Sequence, residues 1–487
     1  MKILITGATG LIGKELGREL VGRGHRVLAL VRDPKGVASH LPFPAESFSW
    51  REAQSETPSK AFLEALAGVD AIVHLAGEPI ADGRWTTARK RALRESRVDL
   101  TQALVGVARA HMPKLKVFVQ GSALGIYGER GDEELDAGSE VGSGFLPNLV
   151  RDWEEPSLEL ARNSPRDAES VGEPNNEPSN EPGAVRVVAL RTGIVLARQG
   201  GALAKMLPVF RRGLGARLGL SGRQWMSWIH LADIVGLICW ALETPSVKGV
   251  IEGTSPNPVR NAEFTKVLCK TLGVMQAPPV PALALRALFG EMADVLLEST
   301  KLLPRRAQEL GYRFRFPSFD LAMQDLVSPL RGRIYEKLEE QWVPVPVEKI
   351  WPYFCDEKNL ESLTPPMLRF EVLGKSTPEI QTGTLIDYRL SLNGLPFGWR
   401  TRIEDWVPNR KFVDSQIKGP YSLWHHTHEF LPLAGGTLMR DRVFYRLPMG
   451  ILGDLAASWK VVRDVDAIFQ FRRKVIHEKF GAPAEKT

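Results

Sequence analysis

Gly7, Gly10 and Gly13 stand at G-x-x-G-x-x-G spacing in the opening run Met1-Lys-Ile-Leu-Ile-Thr-Gly-Ala-Thr-Gly-Leu-Ile-Gly13. That pattern suits one task well, bringing a backbone close to a pyrophosphate. Gly7 permits a tight turn, Gly10 removes the side chain that would hold phosphates off, and Gly13 lets a helix pack against the strand before it. Thr9, Leu11 and Ile12 complete the loop and count with the glycines as cofactor-binding candidates. The helix N-terminus there offers free N–H groups and partial positive charge. Ile3, Leu4 and Ile5 read as a buried parallel strand, and Leu11, Ile12, Leu16, Leu20 and Val21 follow at helical period. Strand, glycine turn and helix in that order make the motif specific.

Further positions along the chain have chemistry to offer. A second strand, His25 to Arg32, ends in Arg32-Asp33-Pro34. At that end an acid accepts from a ribose 2′-hydroxyl, whereas an arginine pairs with a 2′-phosphate, so Arg32 favours NADP(H) over NAD(H). The strand Asp70 to Glu78 ends in Leu75, Ala76 and Gly77, where small residues let ribose and phosphates lie close; His74 inside it reads as a packed histidine. The strand Lys116 to Ala123 delivers Ser122 at its C-terminal end, the edge where open α/β sheets bind ligands. Tyr127 follows in the Gly125–Gly128 loop. Ser122 is the candidate for hydrogen bonding a substrate carbonyl, and Tyr127 for donating a proton. Glu78 and His230 are alternative acid/base groups, and Asp233 is expected to cap the helix that starts beside it.

A histidine cluster, Trp424-His-His-Thr-His-Glu-Phe430, closes the inventory. On a strand, His426 and His428 share one face and His425 takes the other. Two same-face histidines make half a zinc site, and no acid or cysteine partner is evident from sequence. The expectation is therefore no metal, with the pair serving a ligand cavity or the packing of a sheet.

The elements must position these residues. At 487 residues the chain is expected to hold two or three domains, and 44% hydrophobic with 25% charged residues is a globular composition. Lys+Arg of 63 against Asp+Glu of 57 gives +6 without a long basic run, which argues against a nucleic-acid partner. Cys239, Cys269 and Cys355 are scattered, as reduced thiols are. No signal peptide or membrane span is expected, and the expected location is cytoplasmic. A helix from about Thr86 to Ala110 shows Arg89, Lys90, Arg91 and Arg94 as a solvated face. Residues 163–183 are Pro-, Asn-, Glu- and Ser-rich and read as a disordered insertion. The run from Thr192 to Leu196 is expected to continue the sheet to a second glycine loop at Gly200-Gly201, and Gln224–Asp233 is expected to introduce another helix through Leu242. Residues from Pro278 to about Val327 are expected to be helical with proline breaks. Alternating βα units to this point predict a doubly wound parallel sheet.

The character changes near Ser328-Pro-Leu-Arg-Gly332. Antiparallel strands are expected from Arg333, with a short helix from Val347 to Phe354 and a last helix from about Asp454 to Phe480. Its apolar side is expected to be Leu455, Val462, Val465, Ile468, Phe469, Phe471 and Ile476. A sheet gripping a helix commonly encloses an apolar cavity.

The first domain resembles the extended short-chain dehydrogenase/reductase superfamily, in its atypical epimerase-like subfamily. Thr6–Gly13, His74-Leu-Ala-Gly-Glu-Pro-Ile80, Arg84-Trp85, Gly121-Ser-Ala, Asp152-Trp-Glu154, Leu190–Leu196, Gly200–Leu203 and Gln224–His230 carry that resemblance. Residues from Pro278 to Leu326 resemble the small C-terminal cap of that subfamily. The remainder resembles the START/polyketide-cyclase-like helix-grip superfamily, through Trp424–Phe430, Gly435–Thr437, Asp441 and Tyr445–Pro448. The resemblance implies a Rossmann-type domain over 1–275, a cap over 276–327 and an α+β ligand-binding domain over 333–482. It also implies an NADP(H)-dependent oxidoreductase or epimerase acting on a small carbonyl or hydroxyl compound, with an apolar or lipid-like ligand in the second domain. The superfamily pairs its serine with Tyr-x-x-x-Lys, and here that position reads Gly144-Phe-Leu-Pro-Asn-Leu-Val150. The missing pair supports an alternative expectation, a cofactor-binding regulatory protein with reduced catalysis.

Overall fold

A computed structural model describes residues 1–37, 40–162, 185–357, 359–392 and 395–481. The expected insertion at 163–183 lies outside the described residues. The chain divides into two compact units, Met1–Pro34 with Glu46–Ser328, and Lys35–Ala45 with Pro329–Thr487.

The first unit is built on seven parallel strands, β1 (Lys2–Thr6), β2 (Arg26–Val31), β3 (Glu46–Ser49), β4 (Ala71–His74), β5 (Val117–Ala123), β6 (Arg186–Thr192) and β7 (Gly249–Gly253). Their order is β7-β6-β5-β4-β1-β2-β3. The chain leaves β1 in one direction to β2 and returns on the other side at β4, which makes the β1/β4 edge the switch point where such sheets take ligands. Ile3, Leu4 and Ile5 are all fully buried, as a strand covered on both faces requires. Helix α1 (Leu11–Gly22) buries Gly13, Leu16, Gly17, Leu20 and Val21 at three- and four-residue spacing.

The predicted helix from Thr86 to Ala110 is observed as Thr87–Arg94, one π-turn over Glu95–Asp99, and α2 (Leu100–His111). The inserted residue rotates the second half against the first, and such turns cluster at functional sites. Helix α3 (Phe145–Arg162) packs on β5 and β6, and α4 (Leu231–Glu243) follows further on.

Two expectations are corrected in detail. The sheet does not continue through Leu196: β6 stops at Thr192, and Ile194–Leu196 pairs instead with Trp228–His230. Gly200 then caps a helix, Gly201–Arg211, rather than sitting in a loop alone. The segment from Pro278 forms helices Ala282–Phe289, Met292–Leu297, Arg305–Glu309 and Phe319–Leu326, with Lys301–Leu302 pairing to Glu134–Leu135.

The second unit carries an antiparallel sheet of β8 (Tyr335–Val343), β9 (Glu371–Lys375), β10 (Leu385–Leu392), β11 (Leu395–Val407), β12 (Lys411–Lys418), β13 (Leu423–Leu433) and β14 (Gly436–Arg446), in the order β8-β14-β13-β12-β11-β10-β9. Helix α5 (Val347–Cys355) buries Val347, Ile350, Trp351 and Phe354 against Phe412, Phe430 and Met439. The long helix α6 (Gly450–Phe480) closes the unit. It begins before Asp454, and its inner face matches the expected one at Val465, Phe469 and Ile476 but not at its start. Leu455 and Val462 are exposed, whereas Asp454, Ser458 and Arg472 are buried with Val465, Phe469 and Ile476. Ion pairs explain the inversion: Asp454 meets Arg333 at 2.9 Å, and Arg472 meets Asp441 at 3.5 Å. The cavity between β8, β14 and α6 is small and of mixed lining, with Met439, Phe469 and Ile476 beside charged and polar side chains. It measures about 10 Å³, room for roughly one water, and Glu339, Gln341, Asp441, Arg472 and Arg473 line it.

Candidate cofactor and active site

The glycine loop is shaped by backbone contacts that only glycine tolerates. Gly7 has φ +72°, and a Cβ there would lie 2.9 Å from the Leu75 carbonyl carbon and 3.0 Å from the Ala76 nitrogen. A Cβ on Gly13 would come within 2.2 Å of the Gly7 oxygen. The loop therefore lies directly against the end of β4, bringing Gly7 together with Leu75 and Ala76. Gly10 is exposed and caps α1 with no side-chain hydrogen bond, which leaves the helix N-terminus open toward solvent beside Thr9, Leu11 and Ile12. This cradle and uncapped helix end fit the diphosphate of a dinucleotide.

A buried relay fixes the loop to its neighbours. The Thr6 hydroxyl accepts from the backbone N–H of Leu75 and of Ala76, each at 3.1 Å. Its own proton is then left for His74 Nδ1 at 2.6 Å. That assigns the proton of a neutral ring to Nε2, which meets the Thr101 hydroxyl at 3.0 Å, and Thr101 donates to the Arg97 carbonyl at the π-turn. His74 is the packed histidine expected from sequence, and burial pushes its pKa down to about 3. The unfolded chain binds a proton near pH 6.5 that the folded ring refuses, so stability is lost as pH falls from about 6.5 toward 3. The slope is at most about 1.4 kcal/mol per pH unit. Urea unfolding at pH 7 and 4.5 is expected to show this loss in the wild type and a smaller one in His74→Gln.

Beside the loop, the Arg97 guanidinium sits 3.2–3.4 Å from where a Cβ on Gly77 would be. It is 7% exposed and donates to the Glu78 and Leu93 carbonyls. It lies 5.1 Å over the Trp153 ring. No carboxylate forms an ion pair with it among the described residues, and burial first, then Arg89, pulls its pKa down to about 10. Arg32 is 90% exposed and stands 3.7 Å from Glu78, which also pairs with Arg89 at 3.2 Å. Lys90 and Arg94, expected on a solvated face, pair with Glu291 and Asp152.

Ser122 stands at the end of β5 as expected, and its hydroxyl donates to Glu154 on α3 at 2.5 Å. Glu154 and Arg191 form a two-pronged buried ion pair, at 3.0 Å from Nε and 2.9 Å from Nη2. Arg191 also donates to the Tyr127 hydroxyl at 2.9 Å, and that hydroxyl donates onward to the Asp136 carbonyl at 2.7 Å. Tyr127 is fully buried, and burial raises its pKa. The structure thus brings Ser122 and Tyr127 into one network, but through Glu154 and Arg191, which sequence reasoning gave no role. The two lie 37 residues apart on different elements, so no spacing rule could have paired them.

The remaining candidates have structural duties. His230, not Asp233, caps α4 by accepting from the Ala232 N–H, and its other nitrogen lies 3.3 Å from Asp325. Asp233 instead accepts from the backbone of Arg315 and Phe316.

Residues 3–143 match the model of the NAD dependent epimerase/dehydratase family, residues 280–326 a domain of unknown function, and residues 343–469 the polyketide cyclase / dehydrase and lipid transport family. The chain is 38% identical over 318 residues to an SDR39U1 homolog of the epimerase family, chloroplastic, from Arabidopsis thaliana, covering 65% of this chain and 84% of that one. It is 34% identical to the epimerase family protein SDR39U1 of Homo sapiens, covering 67% of this chain and all of the human protein. A crystal structure of the human protein (isoform 2) with NADPH matches with a TM-score of 0.55 at 33% identity, over 67% of this chain and 99% of that one. No helix among the described residues is long and apolar enough to cross a membrane.

Proposed function

We propose a function from the premise that this chain belongs to the NAD dependent epimerase/dehydratase family, as an epimerase family protein with a polyketide-cyclase-type second domain. Its first domain binds NADP(H) at the Gly7–Gly13 loop and acts as an oxidoreductase or epimerase on a small carbonyl or hydroxyl compound. The bound nicotinamide supplies or accepts hydride; the chain's own residues handle the proton.

The observation that carries this reading is the Ser122–Glu154 contact. In the oxidising direction the Ser122 oxygen, its own proton directed at the buried Glu154 carboxylate, takes the substrate hydroxyl proton as its own passes to Glu154. In carbonyl reduction the Glu154 carboxylic acid returns that proton through Ser122 to the substrate oxygen. Glu154, held by Arg191, takes the place of the missing Tyr-x-x-x-Lys pair, and Tyr127 positions Arg191. Arg32 pairs with the 2′-phosphate, because its guanidinium is exposed and only weakly engaged by Glu78. The second domain holds an apolar compound, and the free cysteines suit the cytoplasm.

A second reading has its own support. Tyr127 is locked in the interior, as in a protein that keeps the cofactor pocket without the chemistry. NADPH oxidation with a panel of carbonyl compounds separates the two. The enzyme reading expects turnover that falls about 100-fold in Ser122→Ala with NADPH affinity unchanged. Tight NADPH binding without turnover on any compound favours the regulator. In either case Arg32→Ala is expected to weaken NADPH about tenfold or more and leave NADH unaffected. Equal loss for both cofactors would refute the role of Arg32.

A further inference from the structure

The second sheet carries a side-chain cluster that the cofactor site does not use. Asp414 on β12 pairs across the ladder with His426 on β13, and His428 pairs with Asp441 on β14. Positions opposed or two apart on one face are close enough to touch. The two flanking strands therefore supply the acids that the histidine face of β13 lacks, Glu429 lying on the opposite face.

The imidazoles of His426 and His428 lie with centroids 3.7 Å apart and planes tilted by 38°, between the two carboxylates. On one side His428 Nε2 lies 3.1 Å and His426 Nδ1 3.6 Å from Asp414 Oδ2. On the other, His428 Nδ1 lies 2.6 Å and His426 Nε2 3.3 Å from Asp441 Oδ1. All four ring nitrogens thus face a carboxylate oxygen, yet two neutral imidazoles own only two N–H groups. If both protons point to Asp441, two nitrogen lone pairs point at the Asp414 oxygen, and a cation between them removes that repulsion.

The two acids are not equivalent. Asp441 is 9% exposed in its side chain and pairs with Arg472 at 3.5 Å, and Arg472 Nη2 also lies 3.3 Å from His428 Nδ1. Asp414 is 17% exposed and has no Lys or Arg ion pair among the described residues. One acid is neutralised by the protein, and the other keeps its charge and an opening to solvent.

We propose that Asp414, His426 and His428 bind a divalent transition-metal ion of the zinc type, with Asp441 holding both histidines from behind. One ligand atom from each of the three lies within 4.8 Å of the others. The 3.1 and 3.6 Å separations from Asp414 bracket the edge of about 3.3–3.4 Å that a tetrahedron with bonds near 2.0–2.1 Å requires. Metal-bound histidines ordinarily give their second nitrogen to a carboxylate, which is the part Asp441 plays for both rings. Two nitrogens and one carboxylate leave the fourth position to water, on the side where Asp414 meets solvent.

Cobalt(II) is the probe. The full-length protein, stripped with chelator and dialysed, is expected to bind one equivalent of Co²⁺ with the visible bands of a tetrahedral site, and Zn²⁺ is expected to displace it. The His426→Ala/His428→Ala variant is expected to bind none. Asp441→Asn is expected to keep the stoichiometry while weakening affinity about 10–100-fold. Near-UV circular dichroism checks that each variant keeps its packing. A folded wild-type protein that takes up no stoichiometric Co²⁺ or Zn²⁺ would overturn the proposal and leave a shared proton in place of the ion. Tight metal binding that survives loss of both histidines would overturn it as well.

Discussion

Gly13→Ala is expected to weaken NADPH binding by at least about 100-fold, or roughly 2.7 kcal/mol, while leaving most of the chain folded. The new methyl group would stand 2.2 Å from the Gly7 oxygen and 2.8 Å from the Ala8 Cα. Both neighbours are backbone, so no side chain can swing aside. Helix α1 must move off β1, and Leu16 and Leu20, fully buried, must move with it. The phosphate cradle opens and the helix end no longer aims at it. Gly10→Ala is the comparison, because its Cβ meets only the Gly7 oxygen, at 3.2 Å. It is expected to keep the fold and lose affinity solely through its approach to the phosphates. Titration of NADPH fluorescence, with circular dichroism as the check on folding, reads both variants. Wild-type affinity in Gly13→Ala would sink the assignment of the loop.

Glu154→Leu has the largest expected effect on stability. It leaves the Arg191 guanidinium, 8% exposed in its side chain, buried without its carboxylate. Removing one partner of a buried pair costs about 3–5 kcal/mol, because the remaining charge has lost both water and counter-ion. Arg191 would keep only Tyr127 and the Ala137 carbonyl as acceptors. Replacing both, Glu154→Leu with Arg191→Met, is expected to recover most of that loss, since an apolar pair of similar volume needs no compensation. Urea unfolding of the full chain, with loss of NADPH binding as the reporter for the first unit, completes the double-mutant cycle. A double variant no more stable than Glu154→Leu would show that the pair contributes packing that leucine and methionine cannot supply.

The sequence by itself determined the elements whose physics is local. Ile3 to Ile5 read as a doubly covered strand, and the glycine spacing pointed to a tight turn, since Gly10 and Gly13 answer steric demands within ten residues of chain; the demand on Gly7, from Leu75 and Ala76, comes only with the folded sheet. His74 was legible as a core histidine because it stands in an apolar run. The antiparallel character of the second unit was legible from strand patterning, although β9 and β12 were not distinguished from the loops around them.

Tertiary structure decided the rest, because the deciding contacts join residues distant in sequence. Glu154 reaches Ser122 and Arg191 only when α3 is laid across β5 and β6. Tyr127, a reasonable proton donor on paper, is committed to Arg191 and the Asp136 carbonyl once the core closes. Leu455 and Val462 were placed on the inner side of α6 by hydropathy, and buried ion pairs turned Asp454 and Arg472 inward instead. His426 and His428 had no acid on their own face of β13, Glu429 alternating to the other, and found them on the strands to either side. Periodicity states which residues share a face of one element; register and packing state what that face meets, and charge pairs outweigh hydropathy where each buried ion finds its counter-ion.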